Sequence, residues 1–121
     1  SGLLGVSGFS NNMRELQESD NPRAAEAIDL FCYRAACEFA AHTTALQGLD
    51  GIVFTAGIGE NSALVRAKIC RQLAWMGVEI DEDANNRNGL VISTAESKIT
   101  VHVKATNEEL VIARATRRLA S

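Results

Sequence analysis

The chain lacks several features that would narrow its class at once. It has no basic excess: twelve Lys and Arg stand against fifteen Asp and Glu, for a formal charge of -3. A nucleic-acid surface normally carries a clustered basic excess, and here the cations are scattered apart from Arg114, Arg117 and Arg118. No apolar run approaches the ~18 residues of a membrane span, and no signal-peptide pattern is present. There is no CxxC pair among the three cysteines. Cys32 and Cys37 lie five residues apart in a helix-like run, poorly placed to bridge, so the expectation is a reducing cytoplasm with buried thiols acting as small apolar groups. Internal repeats and low-complexity segments are also missing. The chain carries no initiator methionine, and its glycine-rich opening, Ser1 to Gly8, reads like the middle of a longer protein.

What remains is 121 residues with 46% hydrophobic content, enough for one domain, 1–121, with a core of its own. Residues 2–11 read as loop, and Asn12 to Glu18 as one or two helical turns. Asn21-Pro22 is a helix start, because Asn caps and Pro is tolerated at the first helical position. From there to Gln47 the positions Ile28, Phe31, Ala35, Phe39 and Leu46 recur at helical spacing, and Gly48 ends the run. Ile52-Val53-Phe54 is continuously apolar, as expected of a central strand. A helix from about Ser62 to Met76 carries the stripe Val65, Ile69, Leu73 and Met76, stops at Gly77, and includes Trp75 as a core residue.

Further on, Val78 to Ile80 reads as a short strand and Asp81 to Asn88 as a helical turn or loop. Leu90 to Ser93 and Ile99 to Val103 form two more strands. The second places Ile99, Val101 and Val103 on one face and Thr100, His102 and Lys104 on the other. A final helix is expected from Thr106 to about Leu119. Strands alternating with helices give an α/β layered domain.

Three segments could carry chemistry. Gly57-Ile58-Gly59-Glu60-Asn61 follows a strand and precedes a helix, where ligands bind in open α/β sheets. Glycines there let a ligand approach the backbone, and the helix start favours an anion such as a phosphate. A tight turn that needs glycine for its own geometry explains the same residues. Ser62 stands where a dinucleotide fingerprint needs a third glycine, and no Gly-Lys-Ser/Thr follows to make a P-loop.

The second segment is Thr106-Asn107-Glu108-Glu109. Its capping-box spacing gives Glu109 a backbone role, leaving Glu108 free to be either a solvated acid or a ligand for a hard cation. In the third, Asn12-Met13-Arg14, Arg14 suits a phosphate, a base or a surface ion pair. His42 and His102 have no partner that the sequence can place, and are expected to be structural.

Taken in order, these segments resemble the carboxy-terminal part of the acetate kinase family. The resemblance runs from Gly5-Val6-Ser7-Gly8-Phe9-Ser10 through Phe54 to Ser62 and on to Thr106-Asn107-Glu108-Glu109-Leu110, with Val78 to Asp81 and Asn85-Asn86 also matching. It implies an α/β, ribonuclease-H-like lobe of the actin-like ATPase type, shared by acetate and sugar kinases, Hsp70 and actin, and present here as a partial domain.

It also implies that Gly57 to Asn61 line an ATP site, that Asn12, Met13 and Arg14 touch adenosine, and that Glu108 holds Mg2+. The implied reaction is phosphoryl transfer between ATP and acetate, giving acetyl phosphate and ADP, in a cytoplasmic homodimer with no nucleic-acid or membrane partner. Two departures from the family pattern stand out. Asn12-Met13 replaces an Asp-Phe pair, and Ala105 replaces a proline. The family's catalytic arginines and histidine find no counterpart in this chain, so the chain alone is expected to be inactive. Propionate or butyrate kinase, and a non-catalytic dimerisation or scaffold module, are the competing readings.

Overall fold

A computed structural model describes residues 15–46, 51–55, 62–104 and 112–115. Residues 15–18 form a helical turn. Helix α1 spans Pro22–Leu46, strand β1 Gly51–Thr55, helix α2 Ala63–Gln72, helix α3 Glu82–Asn86, strand β2 Thr100–Lys104 and strand β3 Ile112–Ala115. The strands form one mixed sheet in the order β2-β1-β3, with β2 parallel and β3 antiparallel to β1.

β1 is central because its sequence suits no other place. Ile52 and Phe54 are completely buried, and they stand in register with Val101 and Val103 of β2, so four apolar side chains share one face. The alternation expected for β2 holds: Val101 and Val103 are buried, while Thr100 and Lys104 are exposed.

α1 begins as its first residues dictate, with the Asn21 Oδ1 accepting the Arg23 amide at 2.9 Å. Its buried stripe runs through Ile28, Phe31, Ala35 and Phe39. Phe39 meets Phe54 edge to face, with ring centroids 5.9 Å apart and planes at 74°. That contact joins the helix to the sheet. α2 packs along α1, where Lys68 and Asp29 form a surface ion pair at 2.7 Å.

The stretch after α2 departs from expectation. The helix ends at Gln72 and a 3-10 turn, Ala74–Met76, follows. Tightening the turn leaves Leu73 in the core at 1% exposure and swings Trp75 outward to 74%, so Trp75 is not a core residue. Gly77 ends the turn in the left-handed region (φ 99°). A Cβ there would come within 2.7 Å of the Lys98 side chain.

The segments expected as strands at 78–80 and 90–93 are reduced to single bridges, Ile80 to Ser93 and Val91 to His102. They still edge the sheet, as Ile92 N–H donates to the Val101 carbonyl and Val103 N–H to the Leu90 carbonyl, both at 2.9 Å. The larger correction concerns the terminal helix expected over 106–119. Residues 112–115 are a strand, paired from Gly51↔Ala115 to Phe54↔Ile112. The free edge of β1 offers Ile112 to Ala115 a full set of backbone partners, and this tertiary pairing outweighs local helical preference.

Of the three cysteines, Cys32 and Cys70 are buried as expected, whereas Cys37 is exposed. Burial pushes both buried thiols up from about 9 to about 12, despite the opposing pull of Lys68 on Cys32 and of Arg66 on Cys70. In the unfolded chain these thiols ionise from about pH 9, so the unfolded state sheds protons first. The stability they contribute is therefore complete below pH 9 and lost as pH rises toward 12. The urea midpoint should drop between pH 8 and pH 10 by the equivalent of about 1 kcal/mol per thiol. An unchanged midpoint would contradict this account.

Candidate functional site

None of the nine residues expected to form the site, Asn12, Met13, Arg14, Gly57, Ile58, Gly59, Glu60, Asn61 and Glu108, falls within the described residues. The described structure instead fixes the points from which the two main segments depart. Residues 56–61 follow Thr55 and residues 105–111 follow Lys104, and Thr55 and Lys104 are register partners at the carboxyl end of a parallel pair. Segment 105–111 then leads to Ile112, which pairs with Phe54, one residue before Thr55. Both segments therefore begin at the same end of the same two strands, the end where α/β sheets bind ligands.

On the far side of segment 56–61, α2 starts at a well-defined cap. Ser62 is 3% exposed, and its Oγ accepts the Val65 amide at 3.3 Å while its carbonyl accepts the Arg66 amide at 3.0 Å.

The first turn of α2 also contains a residue that sequence reasoning passed over. Arg66 has no solvent exposure. Its Nε donates to Asn85 Oδ1 at 2.7 Å, and its Nη2 donates to the Asn85 carbonyl at 2.8 Å and to Asn88 Oδ1 at 2.6 Å. Asn85, 1% exposed, returns a bond from its Nδ2 to the Ala63 carbonyl at 2.9 Å. Burial pushes the guanidinium down to about 10, so it remains a cation at neutral pH. A buried positive charge thus sits in the first turn of α2, shortly after the glycine-containing segment in the sequence. The signal was present in the sequence: Arg66 stands three and seven residues before the buried Ile69 and Leu73, on their face of the helix.

His42 lies 3.6 Å from Glu38 on the surface of α1, and His102 is partly buried in β2. Among the described residues, no cluster of three or more His, Cys, Asp or Glu is placed to hold a metal ion. No described helix is long and apolar enough to cross a membrane.

Known structures share this arrangement. A propionate kinase from Francisella tularensis superposes with a TM-score of 0.71 at 36% identity, over 88% of this chain and 28% of that one. Acetate kinase of Porphyromonas gingivalis gives 0.71 at 35% identity, over 87% and 28%. The fold is therefore that of the actin-like ATPase lobes, present as a partial domain.

Sequence comparison narrows the class further. Residues 1–114 match the profile of the Acetokinase family, and acetate kinase of Nitrobacter hamburgensis is 52% identical over 115 residues, 95% of this chain. The chain belongs to the acetokinase family. It spans under a third of the length of the curated relatives it matches, 28% in that case.

Proposed function

We propose that this chain is the ATP-side, carboxy-terminal lobe of an acetate kinase. In the intact enzyme an acetate oxygen forms a bond to the γ-phosphorus of ATP. The bond from that phosphorus to the β,γ-bridging oxygen breaks, and ADP leaves with the electron pair, giving acetyl phosphate. Gly57, Ile58, Gly59, Glu60 and Asn61 would line the ATP site, Asn12, Met13 and Arg14 would meet the adenosine, and Glu108 would hold Mg2+. Bound Mg2+ supplies charge neutralisation to the transferring phosphoryl group. The chain contributes positioning and no catalytic residue, so by itself it transfers no phosphate. The intact enzyme is a cytoplasmic homodimer acting on small molecules, with no membrane or nucleic-acid partner.

The observation that carries this reading is the Thr55↔Lys104 register, which starts both motif segments from one end of the sheet. A phosphate-binding segment and a metal carboxylate must act on the same nucleotide, and departure from one end of the sheet supports that reading. Propionate kinase is the second reading, favoured by the superposition on the Francisella tularensis propionate kinase, which equals that on an acetate kinase.

The test is a titration of ATP, with and without Mg2+, into the chain, followed by amide chemical shifts. Shifts clustered at Gly57 to Ser62, with a Mg2+-dependent response at Glu108, are expected. Grafting the chain in place of the carboxy-terminal third of an active acetate kinase, then assaying acetate, propionate and butyrate, tests placement and acyl preference together. An inactive, folded graft that fails to bind ATP would refute the proposal.

A further inference from the structure

The Arg66 network does more than hold two helices together. It joins the first turn of α2 to α3 at two points: the Ala63 carbonyl, which accepts from Asn85, and the Arg66 guanidinium, which donates to Asn85 and Asn88. Ser62, the residue that opens this turn, directly follows Gly57 to Asn61. The opposite end of that segment is fixed by Thr55, paired within the sheet. A helix start held in place loses less conformational freedom when a ligand binds against it. Releasing that turn returns the cost to the binding step.

From this geometry we infer that Arg66, Asn85 and Asn88 form a positioning clamp on the first turn of α2, the turn that follows the proposed nucleotide-binding segment of the acetate kinase active site. The inference rests on the proposed function above. It adds three positioning residues, and it assigns their effect to the nucleotide side alone.

Asn88 is the point at which the clamp can be tested cleanly. It is an exposed residue with φ 55°, in the left-handed region. Its amide donates to the Asn85 carbonyl at 3.1 Å, and the next amide, of Gly89, donates to the Ala84 carbonyl at 2.9 Å. Few side chains accept that backbone conformation; asparagine does, and so does glycine without strain. Asn88→Gly therefore removes the 2.6 Å acceptor from Arg66 while leaving the backbone path and the buried charge in place. Asn88→Asp keeps an oxygen acceptor at the same position.

The experiment is steady-state kinetics of the full-length enzyme containing this chain, varying ATP and acetate separately, alongside thermal midpoints. Asn88→Gly should raise KM for ATP about three- to tenfold, the scale of one hydrogen bond to a charged group, with kcat and KM for acetate near the parent values. Asn88→Asp should restore the parent KM for ATP. Arg66→Lys keeps the cation but loses the fork, so it serves as the second variant and should move KM in the same direction as Asn88→Gly.

A parent-like KM for ATP in Asn88→Gly would overturn the clamp. So would an equal rise in KM for acetate, or a rise in Asn88→Asp matching that in Asn88→Gly. If the unsubstituted full-length protein binds no ATP, the proposed function and the clamp fall together. If it does turn over and only these variants disappoint, the clamp alone falls.

Discussion

Phe54→Ala should lower the free energy of unfolding by about 3–5 kcal/mol, the range for deleting a buried aromatic ring. The site should sit toward the upper end of that range. Phe54 is fully buried in the central strand, in register with Val103, and its ring meets Phe39 of α1 edge to face. Paired strands on both sides of β1 restrict the backbone movement that would let the site collapse, so the cavity persists. Urea denaturation of parent and variant measures the loss. A change under about 1 kcal/mol would mean that the helix–sheet contact is not a main source of stability.

Arg66→Met should rank second, at about 2–4 kcal/mol, with a thermal midpoint about 10 °C lower or more. Two effects oppose each other here. Removing a buried cation recovers the desolvation that pushes Arg66 down to about 10, and some buried ionic groups are improved upon by apolar replacements. That gain is realised when all partners change together. In this variant Asn85 Oδ1 and the Asn85 carbonyl keep their positions in a residue 1% exposed, and methionine can donate to neither. The Asn85 carbonyl still accepts the Asn88 amide, but leaving Asn85 Oδ1 buried without a donor costs more than the recovered desolvation returns. A variant as stable as the parent by thermal denaturation would show that α3 moves away to hydrate it.

Much of the fold was legible where periodicity and punctuation agreed. Asn21-Pro22 opened α1, the Ile28 to Phe39 stripe faced inward, and Gly77 took the left-handed stop. Misreadings came where the deciding force was tertiary. Ile112 to Ala115 went to the free edge of β1, which no local window reveals. Trp75 turned outward because the helix tightened after Gln72, and a wheel drawn at constant pitch cannot show that change. The partners of Arg66 lie nineteen and twenty-two residues further along the chain, so its own helix does not say what a cation on the apolar face is for.

The candidate site was read as motifs rather than as a shape, and its nine residues lie outside the described ones. Nothing in either motif alone says that segments 56–61 and 105–111 start from the same end of one parallel strand pair. That link comes from the pairing of Thr55 with Lys104.

The order of strands in the sheet bears on how the chain is made. Both strands that flank β1 come later in the sequence, at Thr100–Lys104 and Ile112–Ala115. Until those residues leave the ribosome, Ile52 and Phe54 belong to a strand with two open edges. The sheet cannot assemble piecewise from its amino-terminal side, because every ladder spans more than forty residues of intervening chain. The nascent polypeptide must therefore carry this apolar strand unpaired until Thr100–Lys104 and Ile112–Ala115 have been made. During that interval it is a ready target for chaperones and for mispairing with neighbouring chains.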